Sequence, residues 1–354
     1  MTAMADSLTI SRIEADIVPS GIVQTNRYLR GANPHGHAIR TAMMGRLKYG
    51  LQPSGDPGRV ASYQGIGAGY LLNSRMLGSP VEAFIFHGAP IVRLSPRLSL
   101  NYELQLGGSF GWKNTGSELK DNHVLGSKAN FYLGTDLHLC WQFSRQWDLS
   151  LGGSYMHFSN GNLAMPNEGL NDVGVRLSAA YYPERSERAS RATLVSARSV
   201  PKDERWTTDI LLYGGWKKKS QLRPDGFGVA GFSVSPTYRL NEAIAIGAAL
   251  DGVYDRSVNI ADLADHTSAS PTTDRQTALG LQARAELTMP VLRISAGAGY
   301  FVLGGFHAPY ETIAVKADVS QRMFVHLGYC LYNYRLPNNL MLGVGCRLGK
   351  HHRE

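Results

Sequence analysis

His157, Ser159 and Asn171 are the residues of this 354-residue chain whose types and spacing most suggest chemistry. Side chains of an extended strand alternate between two faces. Leu149, Leu151, Tyr155, His157 and Ser159 therefore share one face of a strand. After a loop rich in Asn, Gly and Pro, Asn171, Val173, Val175, Leu177 and Ala179 share one face of the returning strand, with Arg176 and Ser178 on the other. In a hairpin the two apolar faces coincide, which brings His157, Ser159 and Asn171 onto one wall. A histidine two residues from a serine on one strand face is placed to act as its general base. A third group across the hairpin can hold the imidazole tautomer, and Asn160 or backbone N–H groups near Gly161 can stabilise an oxyanion. That set would perform acyl transfer through a serine nucleophile. The plainer reading is that His, Ser, Asn and Gly simply end a strand and make a turn.

The elements that must position these residues are strands. Leu98, Leu100, Tyr102, Leu104 and Leu106 alternate with Ser99, Asn101, Glu103 and Gln105. Phe131, Leu133, Leu137, Leu139, Trp141 and Phe143 alternate with Asn130, Asp136, His138 and Gln142. Leu279 to Leu287 and Leu340 to Leu348 repeat the pattern, and eleven further segments between residues 40 and 334 read as strands. The alternation persists for roughly 9–11 residues or more, the length that crosses a bilayer when tilted, against about 5–6 for an ordinary strand. Glu103 and Arg284 then point into a lumen, and Trp112, Trp141, Trp147, Tyr181, Tyr182 and Trp206 near segment ends fit interfacial girdles. No stretch offers the roughly 20 uninterrupted apolar residues of a spanning helix. With 39 glycines, 17 tyrosines and only 18% charged residues, the expectation is an all-β antiparallel transmembrane barrel of about 12–14 strands. On that reading His157, Ser159 and Asn171 face lipid, where polar groups are costly unless they serve a purpose.

One barrel over residues 1–354 is the simplest organisation, with residues 1–37 as lead-in and loop and residues 183–204 as a long polar connection. Residues 255–275 read as a further polar loop. Residues 1–9 carry no basic stretch followed by an apolar run, so no signal peptide is visible, and an exported barrel would need a start upstream. The net charge of +8 suits anionic lipid or the phosphates of lipopolysaccharide. The run Lys217 to Lys219 has no nucleic-acid motif around it and reads as solvated charge at a strand end. Cys140, Cys330 and Cys346 have no metal-site spacing, and alternation puts Cys330 and Cys346 on opposite faces, so unpaired thiols are expected. His35 and His37 flank a glycine but lack a neighbouring carboxylate, and His351 and His352 sit in a terminal tail; neither pair reads as a metal site. Gly65, Gly67 and Gly69 resemble a phosphate loop only superficially, since no helix pattern follows.

The run from His157 to Asn162 and the run Pro166 to Asn171 resemble the motif of the lipid A 3-O-deacylases, a family of outer-membrane acyl hydrolases, closest to its longer acyloxyacyl hydrolase-like branch. The resemblance extends through Tyr182 and takes in Gly65 to Gly67, Pro80-Val81, Phe84 to Phe86, Ser109 to Trp112 and Gly126 to Lys128; beyond, the chain is similar to barrels in general. The resemblance implies a Gram-negative outer-membrane barrel whose triad lies outside, among acyl chains, and removes a 3-hydroxyacyl chain from lipid A without metal or cofactor. His157 would be the base, Ser159 the nucleophile and Asn160 the oxyanion contributor. The family's shorter members have a glutamate as third member where Asn171 stands here. An amide can orient imidazole but cannot offset its charge, and in a serine triad the acid-to-amide change cost about 10⁴-fold in kcat. Glu168 or Asp172 are alternative acids, although Asp172 should point to the lumen. The alternatives to a deacylase are a non-enzymatic barrel (channel or structural protein) and a phospholipase on the same scaffold.

Overall fold

Period-two alternation becomes strand throughout the computed structural model, which describes residues 9–53, 60–73, 76–113, 124–185, 191–218, 225–258, 273–288, 292–333 and 336–349. Lys219, His351 and His352 lie outside the described residues. Eight strands form a first closed barrel: β1 (Thr9–Ile22), β2 (Thr41–Pro53), β3 (Tyr63–Leu72), β4 (Val81–Ser95), β5 (Leu98–Phe110), β6 (Ala129–Gln142), β7 (Trp147–Ser159) and β8 (Leu170–Tyr181). Eight more form a second: β9 (Trp206–Lys218), β10 (Gly226–Arg239), β11 (Ile244–Asp255), β12 (Thr277–Thr288), β13 (Leu292–Gly304), β14 (Pro309–Asp318), β15 (Met323–Tyr332) and β16 (Leu336–Leu348). All neighbours pair antiparallel. No helix among the described residues is long and apolar enough to cross a membrane.

The all-β barrel expectation holds, but the sheet closes twice: among the described residues there are sixteen strands in place of 12–14, in two barrels in place of one over residues 1–354. The compact units are Met1–Asn160 with Pro166–Ala197, and Gly161–Met165 with Arg198–Glu354. The stretch 183–204 is thus where the first unit gives way to the second, not a loop within one barrel. The stretch 1–37 is not merely lead-in, because it holds β1. That strand alternates Ile13, Ala15 and Ile17 outward with Arg12, Glu14 and Asp16 inward, and its charges and Pro19 disguise it. It closes the first barrel by pairing with β8, Ala15 opposite Ala179 and Ile17 opposite Leu177.

Outward faces are apolar in both barrels: Leu47, Ile66, Leu151 and Leu177 in the first, Leu212, Leu281 and Val344 in the second, are all exposed. Inside the first, four cations meet four carboxylates. Arg46 binds Asp16 (2.6 Å) and Asp136 (3.1 Å), and Lys48 binds Glu14 (2.8 Å), Asp16 (2.8 Å) and Glu103 (2.6 Å). Arg176 spans Glu14, Glu103 (3.3 Å) and Asp136 (3.4 Å), while Arg12 pairs with Glu14. Above this layer an apolar cluster, including Met44, Phe84, Tyr132, Met156, Phe158 and Leu170, fills the end nearest the β7–β8 loop. Eight strands enclose only enough width for side chains to fill, and these fill it. In the second barrel Asp209 and Glu286 are shared by Arg293, Lys316 and Arg347, with Phe301 stacked on Tyr310 at 4.1 Å toward the other end of the same lumen.

Candidate active site

The β7–β8 hairpin pairs His157 with Asn171, Tyr155 with Val173 and Met156 with Asp172. On the β6 side, Leu133 lies opposite His157 and Phe131 opposite Ser159. Inward residues alternate with these and are fully enclosed. Phe158 meets the Trp112 ring edge-on at 5.0 Å and stacks on Tyr132 at 5.3 Å. Core aromatic packing on one side of the strand thereby fixes which way the intervening residues point. His157 and Asn171 are half-buried on the outer wall, between exposed Tyr155 and Val173.

Asn171 Oδ1 is the centre of the arrangement. His157 Nδ1 lies 2.6 Å from it and the Tyr155 hydroxyl donates to it at 2.7 Å. A carboxamide oxygen only accepts, so the bond requires the proton on Nδ1 and leaves Nε2 with the lone pair. Ser159 follows two residues along the same face, about 7 Å on at strand spacing. It is buried at the end of β7. Ser159 Oγ makes no hydrogen bond among the described residues, and such contacts often form only with substrate present.

Asn160 is buried, and its backbone N–H donates to Asn167 Oδ1 at 2.9 Å. That N–H is therefore already engaged by the protein itself. Gly161 follows, buried, with φ +64°. The alternative acids are elsewhere: Glu168 is exposed in the loop, and Asp172 faces the interior at 0% exposure with neither carboxylate oxygen hydrogen-bonded. The hairpin thus brings together His157 and Asn171, sets Ser159 beside them, and turns Asp172 away.

Three contributors escaped the sequence reading. By sequence Tyr155 is only an apolar-face residue, whereas in the structure its hydroxyl donates to Asn171. Asn167 ties the loop back to Asn160 and bridges to Leu125. Gly169, with φ +73° and its N–H bonded to Val124 O at 3.0 Å, lies under the imidazole: a Cβ there would stand 3.0 Å from His157 Cε1. The signal for Gly169 was its place before a strand carrying a candidate residue, where left-handed backbone calls for glycine. His35 and His37 are exposed, and the described residues hold no group of three metal-ligating side chains. The three cysteines form no disulfide, and Gly65, Gly67 and Gly69 lie in β3.

Closed barrels with apolar exteriors and filled, charged interiors define the class: a β-barrel protein of a membrane. Residues 48–180 match the family model described as lipid A 3-O-deacylase (PagL), and residues 206–351 match the model described as acyloxyacyl hydrolase, C-terminal domain. Between them the two matches span most of the chain, which belongs to this family of outer-membrane hydrolases and resides in the outer membrane. No curated protein matches the chain. Similar solved structures include OprD from Pseudomonas aeruginosa (11% identity, 97% of this chain and 94% of that one, TM-score 0.24). Another is the outer membrane phospholipase A from Escherichia coli (10%, 95% and 92%, TM-score 0.18).

Proposed function

We propose that the chain is a carboxylic ester hydrolase that removes a 3-hydroxyacyl chain from lipid A, with Ser159 as nucleophile, His157 as base and Asn171 as the group that orients the base. The observation that carries this reading is the 2.6 Å approach of His157 Nδ1 to Asn171 Oδ1 on a wall otherwise made of apolar side chains. A membrane-facing polar cluster is retained where it has work to do, and here it leaves the basic nitrogen of the imidazole available to a serine on the same face.

In this mechanism Ser159 Oγ attacks the ester carbonyl as Nε2 takes its proton. The tetrahedral oxyanion collapses, the lipid A alcohol leaves with the proton returned from Nε2, and an acyl-serine remains. Water then attacks that ester, His157 again taking and returning the proton, and releases the hydroxy fatty acid. Asn171 holds the Nδ1–H throughout but does not neutralise the imidazolium formed in each transition state. With the Asn160 backbone N–H held by Asn167, this reading assigns the oxyanion to the Gly161 N–H and the Asn160 side-chain amide. The partners are lipopolysaccharide and the surrounding lipid; nucleic acid has no part.

The channel alternative finds no support in a first barrel whose lumen is filled by paired charges. The test is incubation of the purified full-length protein with lipopolysaccharide, then with a glycerophospholipid, followed by mass spectrometry of the lipids. Loss of one hydroxyacyl chain from lipid A, abolished by Ser159→Ala, is expected. Equal loss with the variant overturns the mechanism, and loss only from the glycerophospholipid makes the enzyme a phospholipase.

A further inference from the structure

The end of the first barrel opposite the β7–β8 loop is cationic. Asp148 and His157 lie nine residues apart on β7, so the two ends are about 30 Å apart. At the Asp148 end Pro96 and Arg97 join β4 to β5, residues 143–146 join β6 to β7, and residues 54–62 join β2 to β3. Three of the four connections at the His157 end, 23–40, 111–128 and 160–169, are longer than any of these. Bacterial barrels keep short turns on the periplasmic side and long loops outside, which places Asp148 at the periplasmic mouth.

A cavity of about 110 Å³ opens there, lined by five arginines (Arg12, Arg93, Arg97, Arg185 and Arg191) and one carboxylate, Asp148. Asp148 is already taken: Arg185 grips it through both nitrogens at 2.7 and 2.5 Å. With Arg185 on Asp148 and Arg12 on Glu14, the lining residues Arg93, Arg97 and Arg191 are a surplus of guanidinium groups with no carboxylate partner in the lining. Residues 191–195 lie over the mouth, with Ala192 bridging to Val60 and Leu194 N–H reaching Pro90 O at 2.9 Å. Arg93 Nε reaches Arg191 O at 2.9 Å in the same strap.

Arg12 gives the cavity a built floor. It is 3% exposed, stacked 4.0 Å over the Tyr63 ring, bonded through Nε to the Tyr182 hydroxyl at 3.0 Å, and paired with Glu14. Its Nη1, buried, has no hydrogen-bond partner. A held guanidinium that leaves an N–H donor unmet in a cation-rich cavity is a site awaiting an anion. Planar guanidinium forks match a tetrahedral oxyanion, and the volume suits one phosphate group far better than a lipid A disaccharide.

We infer that the periplasmic mouth of the first barrel is a binding site for a single phosphate group, held by Arg12 from below and by Arg93 and Arg97 from the rim. The site is separate from the acyl-hydrolase reading and stands whether or not that reading does. The phosphate can come from a soluble monoester or inorganic phosphate, or from the headgroup of an inner-leaflet lipid.

The full-length protein in detergent would be titrated with inorganic phosphate by calorimetry. In a second arm it would be placed in nanodiscs with and without phosphatidic acid and followed by ³¹P NMR. Arg93→Gln and the pair Arg93→Gln/Arg97→Gln, checked for native circular dichroism, are expected to weaken phosphate binding roughly tenfold and more for the pair, since each removes a charge-assisted bond. Arg40→Gln, which removes one exposed charge at the other end of the barrel, should leave it unchanged. Binding of inorganic phosphate identifies a soluble ligand, and a shift with phosphatidic acid alone identifies the headgroup. Absence of saturable binding in both arms, or equal weakening by Arg40→Gln, overturns the site.

Discussion

The seventh strand of each barrel carries a histidine, and the two point opposite ways. In β7, His157 shares its face with Leu149, Leu151 and Tyr155 and lies on the outer wall against Asn171. In β15, His326 alternates with Val325 and Leu327, points into the lumen, and bonds Met341 O through Nδ1 at 3.1 Å. The outward residues of β15 and β16 include Val325, Leu327, Tyr329, Leu342 and Val344, with no histidine or serine among the described residues of that wall. Among the described residues, this strand pair of the second barrel carries the scaffold but no outward His–Asn pair. Both barrels send their charges inward into paired clusters and keep lipid-facing walls apolar, so a polar trio on the first wall is an exception that packing alone does not require.

The comparison breaks most decisively through the two histidines. His157→Ala should lower deacylation by on the order of 10⁴-fold or more, as loss of a catalytic histidine does in serine hydrolases. His326→Ala should leave turnover per folded molecule within about twofold, because its side chain is enclosed in the lumen of the other barrel and shares no partner with the site. Lipid A product formation at matched folded fraction checks both, and comparable losses would remove the distinction between the barrels. The next largest effect is a gain. Asn171→Asp keeps the shape of the side chain and supplies the charge that imidazolium lacks, so kcat should rise by roughly 10- to 10³-fold, within the 10⁴-fold span of the acid-to-amide change. A slower Asn171→Asp enzyme would mean that the desolvation cost of a carboxylate on this wall outweighs its benefit.

Much of the first barrel was legible because lipid outside and paired charge inside enforce strict alternation, and the same parity put His157, Ser159 and Asn171 outward and Asp172 inward. β1 was hidden because Arg12, Glu14 and Asp16 look like solvated charge until Arg46, Lys48 and Arg176 from other strands neutralise them. The double closure was hidden for a related reason: whether β8 pairs onward to β9 or back to β1 depends on residues some 160 positions apart, such as Ile17 and Leu177, and local pattern is the same either way. Within the site, alternation locates Cα positions but says nothing of side-chain reach, so Tyr155 and Asn167 entered only through their bonds to Asn171 and Asn160.

Gly169 sharpens the comparison at the level of backbone. Gly169→Ala adds a methyl 3.0 Å from His157 Cε1 at a φ of +73°. Left-handed backbone costs a non-glycine residue about 1–2 kcal/mol, and the imidazole must also yield. Displacement of a catalytic group by about 1 Å can cost on the order of 10²-fold, so kcat should drop by that order while circular dichroism stays native. An unaltered rate would show that the imidazole has room to move and that its resting contact with Asn171 does not set turnover.

The smallest expected effect isolates the hydroxyl of Tyr155. It donates to the Asn171 oxygen that also receives the Nδ1–H of His157, at 2.7 and 2.6 Å. Two donors on one acceptor hold the amide in a single orientation, whereas either donor alone would let it rotate. Tyr155→Phe removes one bond worth about 1 kcal/mol, or roughly fivefold, and leaves the ring on the lipid-facing wall. Because Tyr155 touches Asn171 and no reacting atom, its role is positioning: kcat should fall severalfold with KM for lipopolysaccharide unchanged. The Asn171→Asp background provides the contrast. A carboxylate has two equivalent oxygens and needs no hydroxyl to fix its orientation, so Tyr155→Phe should matter less there. An equal penalty in both backgrounds would place the tyrosine in substrate binding, and would leave the orientation of Asn171 to be set by the strand alone.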